Sequence, residues 1–145
     1  MSKIVLCIVS FMLISGCSQT PHFNDSNLNS NSLVGIYTND DGFGNRINIV
    51  LNEDGGYESQ LNGTIGIEGF SYGEWEHTTK SNSILFSPIK EHGFLKGKLK
   101  TLLIISDSNN ISLIPAKKLK SHSKLMADYG QSNYSYQKEG VTDSV

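Results

Sequence analysis

Residues 46–61 read RINIVLNEDGGYESQL. Ile47, Ile49 and Leu51 alternate with Asn48 and Val50, so the three apolar side chains fall on one face of an extended strand. Asn52-Glu53-Asp54-Gly55-Gly56 then supplies Asp-Gly and Gly-Gly, the residue types that accept the positive φ angles of a tight hairpin turn. Tyr57, Ser59 and Leu61 alternate with Glu58 and Gln60 on the way back. This is a β-hairpin with one wet and one dry face.

The same short period extends outward in both directions. Leu33 to Tyr37 reads as a strand on the N-terminal side. On the other side Tyr72 to Thr78, Ile84 to Ser87, Phe94 to Ser106 (one bent strand or two) and Ile111 to Pro115 continue the series. Lys80-Ser81-Asn82-Ser83 and Asp107-Ser108-Asn109-Asn110 are turn chemistry between them. No helical stripe interrupts the run. The expected fold is all-β, a small antiparallel meander that closes as a barrel or stacks as a sandwich, over residues 33–118. After Pro115 the chain is rich in Lys, then in Ser, Tyr and Gln. Residues 119–145 are therefore expected to form a flexible tail, with a short helix near Ser123 to Tyr129 and no role in folding.

The N-terminus carries different information. Lys3 precedes an apolar run from Ile4 to Ile14, broken only by Ser10. That run is shorter than the roughly 20 residues a membrane-spanning helix needs, and it ends in the small residues Ser15 and Gly16, as a secretory leader does. Ile14-Ser15-Gly16-Cys17 resembles the lipobox of bacterial lipoproteins. The resemblance implies cleavage between Gly16 and Cys17, a diacylglyceryl group on the Cys17 sulfur and an acyl chain on its new amino group. Residues 1–16 are then a signal peptide. Residues 17–32, rich in Asn and Ser, are a lipidated flexible tether. Ser18, where retained inner-membrane relatives carry Asp, implies an address on the periplasmic side of the outer membrane. The cysteine count agrees with this reading, since Cys7 leaves with the leader and Cys17 becomes a thioether. No disulfide remains to the mature domain, although its compartment is oxidising.

Gly35-x-Tyr37, Leu51-x-x-Asp54-Gly55-x-Tyr57 and Gly73-x-Trp75 are similar to positions in small lipocalin-like envelope lipoproteins and in the N-terminal domain of copper-response lipoproteins. The resemblance implies a small barrel. The Cys-x-x-Cys of the copper-response domain is missing, so no redox or copper role carries over.

Charge and motifs narrow the function further. The chain has 12 basic and 14 acidic residues, a net of -2 that becomes -3 once Lys3 is removed. Nothing there suits nucleic acid. Glu74 and Glu76 flank Trp75, which places them on the solvent face of a strand opposite a buried indole rather than in a catalytic pair. The histidines His22, His77, His92 and His122 lack metal-ligand spacing. Asn39 to Asn45 fails the EF-hand template and reads as a strand connection. No catalytic residue, metal or cofactor is expected. The candidates that remain are Lys117, Lys118, Lys120 and Lys124, as a membrane or partner contact or a merely solvated cluster. A second set, Tyr37, Tyr57, Tyr72, Trp75, Phe86 and Phe94, either lines a ligand cavity or fills the core. The function these features suggest is non-catalytic binding of an envelope protein partner. A carrier of small apolar ligands and, last, a hydrolase of envelope polymers are the alternatives.

Overall fold

A computed structural model describes residues 28–107 and 110–140. The leader, Gly16, Cys17 and most of the expected tether lie outside the described residues. Strands β2 (Arg46–Leu51) and β3 (Gly56–Gly63) form the hairpin, with Ile47 opposite Leu61, Ile49 opposite Ser59 and Leu51 opposite Tyr57. The turn is held by the Asp54 carboxylate, which accepts the Gly56 N–H at 2.9 Å, and Gly55 sits at φ 85°.

Six further strands complete the wall: β1 (Gly35–Asp40), β4 (Gly66–Thr78), β5 (Ser83–Gly93), β6 (Thr101–Asp107), β7 (Asn110–Pro115) and β8 (Tyr136–Lys138). Each pairs antiparallel with its sequence neighbours, and β8 returns to β1, so the sheet closes as an eight-stranded barrel. Closure removes the two edges that a sandwich would leave exposed. The interior is packed with side chains. Tyr37, Ile49, Leu51, Tyr57, Ile84, Phe86, Leu102, Ile104, Leu113 and Tyr136 are all buried, and Tyr57 and Phe86 meet edge to face at 4.8 Å.

The two ends differ. One is closed by helix α1 (Ser30–Leu33), whose Leu33 is fully buried and whose Leu33 carbonyl accepts the Tyr37 hydroxyl at 2.8 Å. Leu28 packs against the same core. At the other end the barrel wall is incomplete as sheet. β6 pairs with β5 only over Ser83 to Leu85, and β7 stops at Pro115. Residues 94–100, 116–118 and 133–135 take the place of strands there. The unpaired upper part of β5 carries Pro88, and its register against β4 shifts between Tyr72 and Gly73. Proline and a bulge are common ways to blunt an open strand edge.

Three expectations are corrected. Residues 28–32 belong to the domain, because Leu33 needs α1 to seat it as a plug. Residues 119–140 are not a flexible tail: the helix expected near Ser123 to Tyr129 is present as the longer α2 (Leu119–Tyr129), and β8 follows it. Three residues are too few to show a period of two, so β8 left no sequence pattern. Residues 94–100, expected as strand, are a series of turns that buries Leu95 and Leu99.

Candidate site at the open end of the barrel

The β1–β2 loop, the β3–β4 turn and the segment after β5 meet at the open end. Asp41 organises the first of these. Its Oδ1 accepts the N–H of Phe43 at 2.7 Å and of Asn45 at 3.1 Å, and its Oδ2 accepts the Asn45 side-chain amide at 2.7 Å. The Asn45 amide, followed by the Phe43 N–H, holds the Asp41 carboxyl below the usual carboxylate range. The loop so fixed thrusts Phe43 into solvent, 84% exposed. Thr64 and Ile65 form the β3–β4 turn between the paired Gly63 and Gly66. Ile65 is 91% exposed and Ile67 64%. Phe94, 67% exposed, is tied to the base of that hairpin by its N–H on the Glu68 carbonyl at 3.3 Å. A Cβ on Gly44 would stand 3.0 Å from Thr64, so the first two loops also touch.

Four large apolar side chains thus ring one end of the barrel. Burying each would release about 1.5–3 kcal/mol, which no fold contact here collects. A single exposed apolar residue needs no explanation, but a group on adjacent loops does.

Beside these tips, with Phe94 in its lining, lies a cleft of about 540 Å³. Ile47, Leu61, Leu95, Pro115, Tyr134 and Tyr136 make its apolar wall. Asn39 pins the 133–135 side by donating to the carbonyls of Asn133 and Ser135, both at 2.8 Å. Lys98, Lys117 and Lys118 stand on its rim, with the Lys118 ammonium 4.8 Å from the centre of the Tyr134 ring. Asp41 and Glu68 line it as well. Among the described residues the ion pair recorded is Arg46 with Asp40 at 3.7 Å, and none involves these lysines.

The lysines singled out in the sequence are therefore divided. Lys117 and Lys118 follow β7 on a single helical turn and reach the cleft, whereas Lys120 and Lys124 are exposed on α2. The aromatic set divides too. Tyr37, Tyr57 and Phe86 are core, and Trp75 is half-buried against it, its Nε1 donating to the Asn52 carbonyl at 3.0 Å. Tyr72 is a correction, since it neither fills the interior nor lines the cleft, whereas Phe94 lines the cleft and not the core. Tyr72 points outward, 41% exposed, beside Phe70, and Phe94 is a loop tip. None of Tyr37, Tyr57, Tyr72, Trp75 and Phe86 lines the cleft; the aromatic residues that do are Phe94, Tyr134 and Tyr136.

Glu74 and Glu76 are both exposed on the outer face of β4. His77 is half-buried, His92 stacks on Phe70 at 5.6 Å, and burial pushes the His122 imidazole below its ordinary value. No cluster of three metal-ligating side chains forms among the described residues. Phe43, Ile65 and Ile67 were not legible as a site, although one signal was present. Gly42-Phe43-Gly44, Ile65-Gly66 and Gly93-Phe94 place bulky apolar residues beside glycine in turns, where polar residues are the norm.

Comparison with known protein families, with curated proteins and with solved structures finds no match for this chain. The reading of the site rests on its own chemistry.

Proposed function

We propose that this chain is a lipid-anchored envelope protein, held through Cys17 on the periplasmic side of the outer membrane, whose barrel binds an envelope protein partner without catalysis. The observation that carries the binding reading is the ring of Phe43, Ile65, Ile67 and Phe94 around one barrel end. Exposed aromatic and aliphatic anchors beside a recess are the usual centre of a protein interface. The lipobox at Ile14 to Cys17 supports the anchor. α1 and Leu33 lie at the closed end, so an anchor upstream of them would join the barrel at the end away from the tips. This orientation favours a protein over the membrane itself. A carrier role fits less well, because the barrel interior is occupied by its own side chains.

The test is site-specific photo-crosslinking in cells. A crosslinking amino acid at Phe43, Ile65 or Phe94 should give one discrete protein adduct, and the same probe at Ile89, exposed on β5, should not. Absence of adducts from all three tips, or an identical set from Ile89, would show that the open end is not the binding end.

A further inference from the structure

We propose that the cleft seats an acidic, apolar peptide segment of the partner, with carboxylates meeting Lys98, Lys117 and Lys118 and apolar side chains meeting Ile47, Leu61 and Tyr136. This deepens, and rests on, the reading of the open end as the binding end. Its volume of about 540 Å³ falls within the roughly 300–1,000 Å³ of sites that enclose small ligands, so it takes a short segment and not a folded domain.

The sign of the occupant follows from how the charges are already used. Asp41 lines the cleft with both its oxygens accepting from its own loop, which leaves its charge in place but turns its lone pairs away from an occupant. The three rim lysines have no carboxylate partner among the described residues. Lys118 is further held over the Tyr134 ring, an arrangement that keeps the ammonium at the cleft without neutralising it. With Asp41 held ionised by its loop, the lining sets three ammonium groups against two carboxylates, Asp41 and Glu68, and keeps an excess of positive charge. An apolar floor with a cationic rim selects a segment that alternates apolar and acidic side chains, and rejects its basic counterpart.

The experiment uses the full chain carrying Cys17→Ser and two fluorescein-labelled peptides. One alternates leucine and glutamate; the other replaces every glutamate by lysine. Anisotropy titrations should show the acidic peptide binding at least ~10-fold more tightly than the basic one. That affinity should fall as salt shortens the Debye length from ~10 Å at 0.1 M toward ~3 Å at 1 M. The combined variant K98Q/K117Q/K118Q should weaken it about 10-fold. The peptide comparison and the salt series use the unaltered cleft, so they hold even if the variant folds poorly. Equal binding of the two peptides, or salt-insensitive binding, overturns the proposal. So does lysine-dependent binding to phosphatidylglycerol vesicles with none to the acidic peptide, which would assign the rim to lipid. If tip crosslinking persists in cells while the peptides are not distinguished, the segment's chemistry is wrong and the binding end stands. Loss of both removes the binding end as well.

Discussion

Tyr136 is 8% exposed on a strand of only three residues, and burial pushes its phenol up to about 12. Tyr37 and Tyr57 are shifted in the same direction by the same cause. Raised values mean that the folded barrel holds these groups neutral where the unfolded chain would let them ionise near 10. Their contribution is therefore complete below about pH 10 and is lost as pH rises from there toward the folded value. Urea unfolding followed between about pH 8 and pH 11 should show the midpoint falling at the alkaline end. Tyr136→Phe should flatten that fall while changing stability at neutral pH by less than about 1.5 kcal/mol. A variant with the same alkaline slope as the parent would mean that Tyr136 ionises freely in the fold.

Among the elements, β8 is the one that closes the barrel between β7 and β1. It pairs Tyr136 with Leu113 and Gln137 with Ser112 on one side, and Gln137 with Thr38 and Lys138 with Tyr37 on the other. Thr38 donates to the Glu139 carboxylate at 2.7 Å, and Lys138 donates to the Ser32 carbonyl at 2.5 Å. Ending the chain after Gly130 should expose the edges of β1 and β7 and remove the buried Tyr136 side chain from the core. A loss of at least ~3 kcal/mol is expected, comparable to truncating a buried aromatic residue. Thermal unfolding of the shortened chain should be broad or absent, and a melt like the parent's would show that β8 is dispensable. Gly73 makes the same point about elements in contact. A Cβ there would collide with the Ser87 carbonyl oxygen and stand 2.8 Å from the Ile89 nitrogen, so the β4–β5 bulge requires a residue without one.

For the molecule as a whole, the proposed lipid anchor and the barrel should be separable. Each buried methylene contributes about 0.8 kcal/mol, and one chain of myristoyl length holds only marginally, so the two or more chains expected on Cys17 should fix the protein to its membrane. Cys17→Ser should abolish incorporation of a fatty-acid analogue and release the protein from the membrane fraction, with thermal unfolding of the barrel unchanged. Cys7→Ser should leave the label intact. Label retained on the Cys17→Ser chain would remove the basis for the envelope address.

The sequence by itself determined the fold class and the strand-and-turn series at its centre. Ile47, Ile49 and Leu51 on one face and Asp54-Gly55 in the turn are local signals, set by backbone sterics and side-chain alternation over a few residues. At Ile14 to Cys17 it also carries a contiguous stretch that resembles a lipobox. Only the tertiary structure decided barrel over sandwich, because that choice rests on β8, which is too short to carry a pattern and whose partner β1 is about a hundred residues away in sequence. The candidate site was illegible for a related reason. Phe43, Ile65 and Phe94 come from three separate connections and Ile67 from the start of β4, and each is unremarkable alone. What makes them a ring is that antiparallel alternation brings every second turn to the same end of the barrel. Exposure, unlike periodicity, is a property of what the rest of the chain leaves uncovered.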